Sequence, residues 1–248
     1  MAASISDIRQ LLRVNILPKA LNARRVFITG GTGYLGSNLI PVLIERGHKV
    51  RALIRPGSQG KLPAECEVVS GNALDANTYR HLIRPCDTFI HLVGAPRTSS
   101  KKVAEFREVD LVSGLEAIGA AAELAIPHFI YLSAAHSAPT TQSYIDVRSE
   151  CEQMIQDRHL NATILRPGIV VGPEHHWRSA LLPFYKALEW LPVTRSPALR
   201  LGLVTLQNMV LALAQAVESP VHGTRVMGVP EIRAAKLTLN GDRSRQPA

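Results

Sequence analysis

Residues 29–36 read T-G-G-T-G-Y-L-G and stand between an apolar, strand-like run, Val26-Phe27-Ile28, and an amphipathic helical pattern. Gly31, Gly33 and Gly36 satisfy G-x-G-x-x-G, while Gly30, Gly33 and Gly36 satisfy the overlapping G-x-x-G-x-x-G. A tight strand-to-helix turn needs residues without a Cβ, both to reach positive φ and to let backbone approach a pyrophosphate. The helix N-terminus then meets the anion with free N–H groups and the positive end of its dipole. In this setting the spacing implies dinucleotide binding, with Gly30, Thr32, Gly33, Tyr34, Leu35 and Gly36 forming the cradle.

In such a unit a carboxylate about 20 residues past the glycines normally holds the adenosine ribose hydroxyls. Arg55 stands at that place. A guanidinium pairs with a 2′-phosphate through bidentate, charge-assisted hydrogen bonds, so NADP is expected in preference to NAD. Arg51, four residues earlier and on the same side of the strand by alternation, is either a second phosphate partner or a strand-surface charge.

Regular elements must position these groups. Leu35, Leu39, Val42 and Leu43 recur at helical spacing, and Gly47 supplies a stop before residues 48–54 resume a strand. Pro41 falls inside that helix and is expected to kink or loosen it, because its missing N–H breaks a backbone bond. Further strands are expected at 66–69, 87–93, 128–133 and 162–165, separated by helix-length segments. Such alternation implies a parallel sheet. Leu111, Leu115, Ile118 and Ala122 form the core-facing stripe of a crossover helix. Beyond Pro173 the rhythm stops at His175, His176, Trp177, Pro183, Pro192 and Pro197, then Leu206, Val210, Leu213 and Val217 mark another amphipathic helix before a strand at 224–229. The fold expected is α/β: a Rossmann doubly wound parallel sheet with a small C-terminal substrate-side α/β appendage. The divisions are an N-terminal extension over 1–24, the nucleotide-binding domain over 25–173 and the substrate side over 174–248.

At this level the chain resembles short-chain dehydrogenases/reductases of the extended or atypical, epimerase-like type. Beside the glycine turn, Gly71-Asn72-Ala73-Leu74-Asp75 is similar to the family's G-D-x-x-D adenine loop, and His91-Leu92-Val93-Gly94 to its fourth-strand nucleotide contact. Arg166-Pro167-Gly168 through Gly172-Pro173 reproduces R-P-x-x-x-x-G-P. The resemblance implies cofactor contacts from Asn72, Ala73, Leu92, Gly94, Pro167 and Ile169. It also implies a catalytic Ser, Tyr and Lys, the Lys four residues after the Tyr. Ser133 and Tyr144 fill the first two places, and Arg148 stands in the third.

Spacing four on a helix puts Tyr144 and Arg148 on one face, so a cation beside the phenol is kept while its identity is not. Both are also expected to touch cofactor. Arginine stays protonated and has a planar head, whereas lysine bonds the ribose and passes protons. Generating phenolate at pH 7 from a Tyr of pKa about 10 costs roughly 4 kcal/mol, while reduction needs a phenol that donates its proton. A reductase of a small carbonyl compound therefore tolerates the substitution better. The rival is a non-catalytic NAD(P)H-binding sensor or accessory subunit. Epimerisation of a sugar nucleotide is less favoured, because only about 75 residues follow Pro173.

Composition narrows the partners. The 248 residues are 46% hydrophobic, and no apolar run approaches the roughly 20 residues of a membrane helix. The net charge of +8 and pI near 9.8 arise from dispersed basic residues without interleaved aromatics, which argues against nucleic acid. Cys66, Cys86 and Cys151 are odd in number and widely separated, so neither a disulfide framework nor a zinc site is expected, and a reducing cytoplasm fits. Adjacent His175 and His176 rarely chelate one ion. A small-molecule substrate is the expected partner, and the oligomeric state stays open.

Overall fold

The computed structural model describes residue 10 and residues 19–58, 62–94, 106–135, 142–172 and 203–236. In chain order the elements are β1 (Arg25–Thr29), α1 (Tyr34–Glu45), β2 (Lys49–Ile54), β3 (Glu67–Ser70), a 3-10 turn (Ala76–Thr78), α2 (Arg80–Ile83), β4 (Thr88–His91), a π-helical turn (Phe106–Leu111) and α3 (Val112–Glu123). There follow β5 (His128–Leu132), α4 (Gln142–Asp157), β6 (Ala162–Leu165), β7 (Val170–Val171), β8 (Val204–Thr205), α5 (Leu206–Glu218), β9 (Thr224–Met227) and α6 (Val229–Ala234).

Seven strands form one parallel sheet in the order β3-β2-β1-β4-β5-β6-β9. Chain order reverses between β1 and β4, so the crevice beyond their C-terminal ends is the place where such sheets take ligands. Apolar side chains of both faces are buried in separate layers. One gathers α1 and α5, through Leu39, Leu43, Met209, Leu213 and Val217, against Ile28, Ile90 and Ile130. The other gathers Ile118, Val147 and Ile155 from α3 and α4 against Phe27, Phe89 and Phe129. Burial on both faces explains why the inner strands read as continuous apolar runs rather than as alternation.

The expected strands are present, most with an end moved by a residue or more. The strand expected at 162–165 coincides with β6, whereas β4 stops at His91. Helix α1 runs through Pro41 to Glu45 as one element, with Pro41 buried among its packed residues. It ends where Gly47, at φ +95°, donates to the carbonyl of Ile44 while His48 donates to that of Leu43, both at 2.9 Å. This pair satisfies two carbonyls that a helix end leaves open.

Residues 203–236 are built into the main sheet and its core. β9 is the seventh strand of the main sheet, and α5 shares the core of α1. The two helices are also pinned at their C-terminal ends, where buried Arg46 grips Glu218 in two contacts, one of them at 2.7 Å, and His48 reaches the same carboxylate at 3.3 Å. Burial works to raise the Glu218 pKa, but bonds from His48 and Arg46 outweigh it and hold the carboxyl below its ordinary value.

Candidate active site

Backbone geometry makes the glycine turn an anion cradle. Gly30 has φ +78°, and a Cβ on it would lie 2.7 Å from the carbonyl carbon of Leu92 and 2.9 Å from the nitrogen of Val93. A Cβ on Gly36 would lie 2.5 Å from the Gly30 oxygen and 2.6 Å from Gly31 Cα. The turn is closed by Gly33 N–H donating to Gly30 at 3.0 Å. Gly33 caps α1 in extended conformation without a side-chain bond, and the first turn carries no acidic residue. Nothing on the helix itself therefore competes with a phosphate for the amides.

Around this turn, half-buried Thr32 and Leu35 flank the helix start, and Leu35 and Tyr34 pack against the core. The Tyr34 hydroxyl occupies the space that a Cβ on Gly172 would fill, joining the cradle to the end of R-P-x-x-x-x-G-P. The residues fit a dinucleotide pyrophosphate, because the cradle is backbone-lined and admits no side chain at Gly30 or Gly36.

On the β2 side, Thr29 pairs in register with Leu53, which puts exposed Arg55 two residues further, at the height of Gly31. Arg51 is otherwise engaged. Its guanidinium donates to the carbonyls of Leu82 at 2.6 Å and Arg84 at 2.7 Å and pairs with Glu67 at 2.8 Å, so it belongs to the sheet rather than to a phosphate. Exposed Asn72 uses its side-chain oxygen to accept from Leu74 N–H at 3.1 Å, so it shapes its own loop, with half-buried Ala73 beside it.

At the switch point, Thr29 Oγ1 and His91 Nδ1 share a hydrogen bond of 2.8 Å across β1 and β4. The imidazole is fully buried and stacked on Tyr131, with centroids 6.0 Å apart. Burial first, and Arg148 second, push its pKa down to about 3, so it is neutral at ordinary pH.

Tyr144 and Arg148 are brought together as their spacing requires. The guanidinium carbon lies 5.1 Å from the Tyr144 ring centroid and 5.7 Å from that of Tyr131, while Phe106 meets Tyr144 edge-on at 5.1 Å. Arg148 is only 3% exposed. It forms an ion pair with Asp110, whose residue is 1% exposed, and donates to the Leu132 carbonyl at 2.9 Å and the Tyr131 hydroxyl at 3.3 Å. Burial opposes the Arg148 charge, but Tyr131, Tyr144 and Asp110 together outweigh it and keep the guanidinium protonated. Gly94 borders this pair: a Cβ there would lie 3.0 Å from Arg148 Nη2 and 3.2 Å from Asp110 Oδ1.

Ser133 takes a different direction. Its hydroxyl donates to Glu152, which also receives Arg166 Nε at 3.0 and 3.2 Å. The next residues are held by backbone bonds, Ala135 N–H to Pro167 at 2.9 Å and Val204 N–H to Ile169 at 2.9 Å. Sequence reasoning passed over Asp110, Tyr131 and Glu152. Glu152 carried a signal, since 144, 148 and 152 form a column at helical spacing on α4. Asp110 and Tyr131 carried none, because their partner is remote in sequence.

Among the described residues no three His, Cys, Asp or Glu side chains stand together as a metal site requires, and no helix is long and apolar enough to cross a membrane. His175, His176, Trp177, the prolines at 183, 192 and 197 and most of the extension over 1–24 lie outside the described residues. A cavity of about 550 Å³ lies at the opposite, N-terminal edge of the strands, lined by Arg25, His48, Lys49, Arg51 and Glu67 among others.

A backbone-lined anion cradle at the switch point of a parallel sheet defines a Rossmann nucleotide-binding protein. Residues 30–178 match the NAD(P)H-binding family, and the chain belongs to it. Its fold is shared with UDP-glucose 4-epimerase of Thermus thermophilus, solved with NAD, which superposes with a TM-score of 0.62 at 19% identity, covering 85% of this chain and 81% of that one. In sequence the chain is similar to ceramide reductase of Caulobacter vibrioides, 28% identical over 208 residues. It is also similar to photosystem II assembly factor Ycf39 of Synechocystis, 25% identical over 233 residues. These matches cover 82% and 89% of this chain, and 64% and 69% of the two relatives.

Proposed function

We propose that the chain is an NADP(H)-dependent reductase of a small carbonyl compound, acting in the cytoplasm, with residues 174–248 contributing to the substrate side. The carrying observation is the Tyr144–Arg148 pair, a phenol ring 5.1 Å from a guanidinium whose charge Asp110 balances. A phenol is protonated at neutral pH, and a cation already matched by a carboxylate gives it little reason to ionise. That is the state from which Tyr144 Oη donates a proton to a carbonyl oxygen. The cradle amides and Gly36 hold the pyrophosphate, exposed Arg55 takes the 2′-phosphate, and the cofactor supplies the hydride. Two curated relatives named as reductases support the direction, ceramide reductase among them.

Purified protein screened for NADPH loss against aldehydes, ketones and quinones tests this reading. Turnover that disappears in Tyr144→Phe supports it, and turnover unchanged by that substitution overturns the role of Tyr144. A second reading, nucleotide binding without turnover, is favoured by the engagement of Ser133 with Glu152 and of Arg148 with Asp110. Tight NADPH binding with no loss against any carbonyl class would select it.

A further inference from the structure

The cradle and the Arg148–Asp110 pair are joined by three residues of backbone. Gly30 packs on Leu92 and Val93, and Gly94, next in line, borders both Arg148 Nη2 and Asp110 Oδ1. A dinucleotide with its pyrophosphate at Gly30–Gly36 and its adenosine toward β2 extends its other half across the switch point, along residues 92–94, toward this pair.

We propose that Asp110 is a specificity-determining residue that sets the relative affinity for the oxidised and reduced cofactor by cancelling the charge of Arg148 under the nicotinamide end of the cleft. The inference rests on the reading that a nicotinamide dinucleotide binds here. The oxidised nicotinamide ring carries a positive charge and the reduced ring is neutral, so an unbalanced guanidinium repels one form and not the other. Among the described residues, the groups that Arg148 meets leave Asp110 as its counter-charge: Tyr131 offers a neutral hydroxyl, Leu132 a carbonyl, Tyr144 a ring face, and stacked His91 is neutral. Both members of the pair are buried, so salt screens them little. At an effective dielectric constant of about 20, a unit charge within several ångströms moves a binding equilibrium roughly tenfold or more.

The test is fluorescence titration of the full chain with NADP+ and NADPH, taking the ratio of the two dissociation constants. Asp110→Asn leaves Arg148 unbalanced and is expected to weaken NADP+ relative to NADPH by about tenfold. Arg148→Met removes the cation while the Asp110 carboxylate stays, and must move the ratio the other way. Either variant decides the sign alone, so failure of one to fold leaves the other, and the double variant, which removes both charges together, must return toward the parent ratio. Tyr131→Phe removes a hydroxyl but no charge and must leave the ratio unchanged. A ratio that stays constant in a folded single variant, or moves alike in both, overturns the role of Asp110. If neither redox form binds the parent protein, the nucleotide reading itself fails.

Discussion

Gly30 and Leu92 approach so closely across β1 and β4 that a methyl group on Gly30 would lie 2.7 Å from the Leu92 carbonyl carbon. The cradle and the fourth-strand loop are thus two sides of one contact, and glycine at 30 is required twice, for space and for its φ of +78°.

Gly30→Ala is accordingly expected to lose nucleotide affinity by roughly tenfold or more, since left-handed backbone alone costs an alanine about 1–2 kcal/mol. Gly36→Ala meets backbone at 2.5 Å and fails in the same way. Gly119, inside α3, has nothing within 4 Å of an added Cβ, so Gly119→Ala should stabilise by about 0.5–1 kcal/mol and leave affinity alone. Nucleotide titration and thermal melts of the three variants separate these outcomes.

Cofactor choice is expected to depend on Arg55. NADPH at about 100 times its dissociation constant should stabilise the protein by roughly 2.7 kcal/mol, with NADH at equal concentration giving a smaller shift. Arg55→Ala should make the two shifts equal. A parent protein already indifferent to the 2′-phosphate removes the assignment.

Acid should unfold the chain through two buried imidazoles. Burial pushes the pKa of His91 down to about 3 and that of His128 to about 4, from an unfolded value near 6.5. The unfolded chain then binds more protons, so stability is full above about pH 6.5 and declines as pH falls toward 3–4, on the order of several kcal/mol in total. Melts between pH 4 and 8 should show this slope, reduced in His91→Gln. A flat profile over that range contradicts the buried, neutral assignment.

The clamp between α1 and α5 should be a stability element without a role in binding. Arg46→Met leaves Glu218 buried without its bidentate partner, which costs about 3–5 kcal/mol. Restoring a neutral pair with Glu218→Gln in the same chain should recover part of that loss. Denaturant titration of the two variants measures both.

The sequence by itself determined the nucleotide half. Glycine spacing, the strand before it and the apolar stripe after it depend on local geometry, so they were legible without a fold. The parallel sheet followed from alternation, and Tyr144 and Arg148 on one face followed from helical spacing. Tertiary structure decided the rest, because an ion pair depends on which distant side chains are buried together. Asp110 lies 38 residues from Arg148, and Glu152 draws in Ser133 from just past β5 and Arg166 from just past β6. The same holds for Arg51, whose alternatives were closed by two carbonyls about 30 residues away. Residue type indicates which charges a chain carries, but only packing selects the charge that each one meets, since the cost of an unmatched buried ion is set by its neighbours in space.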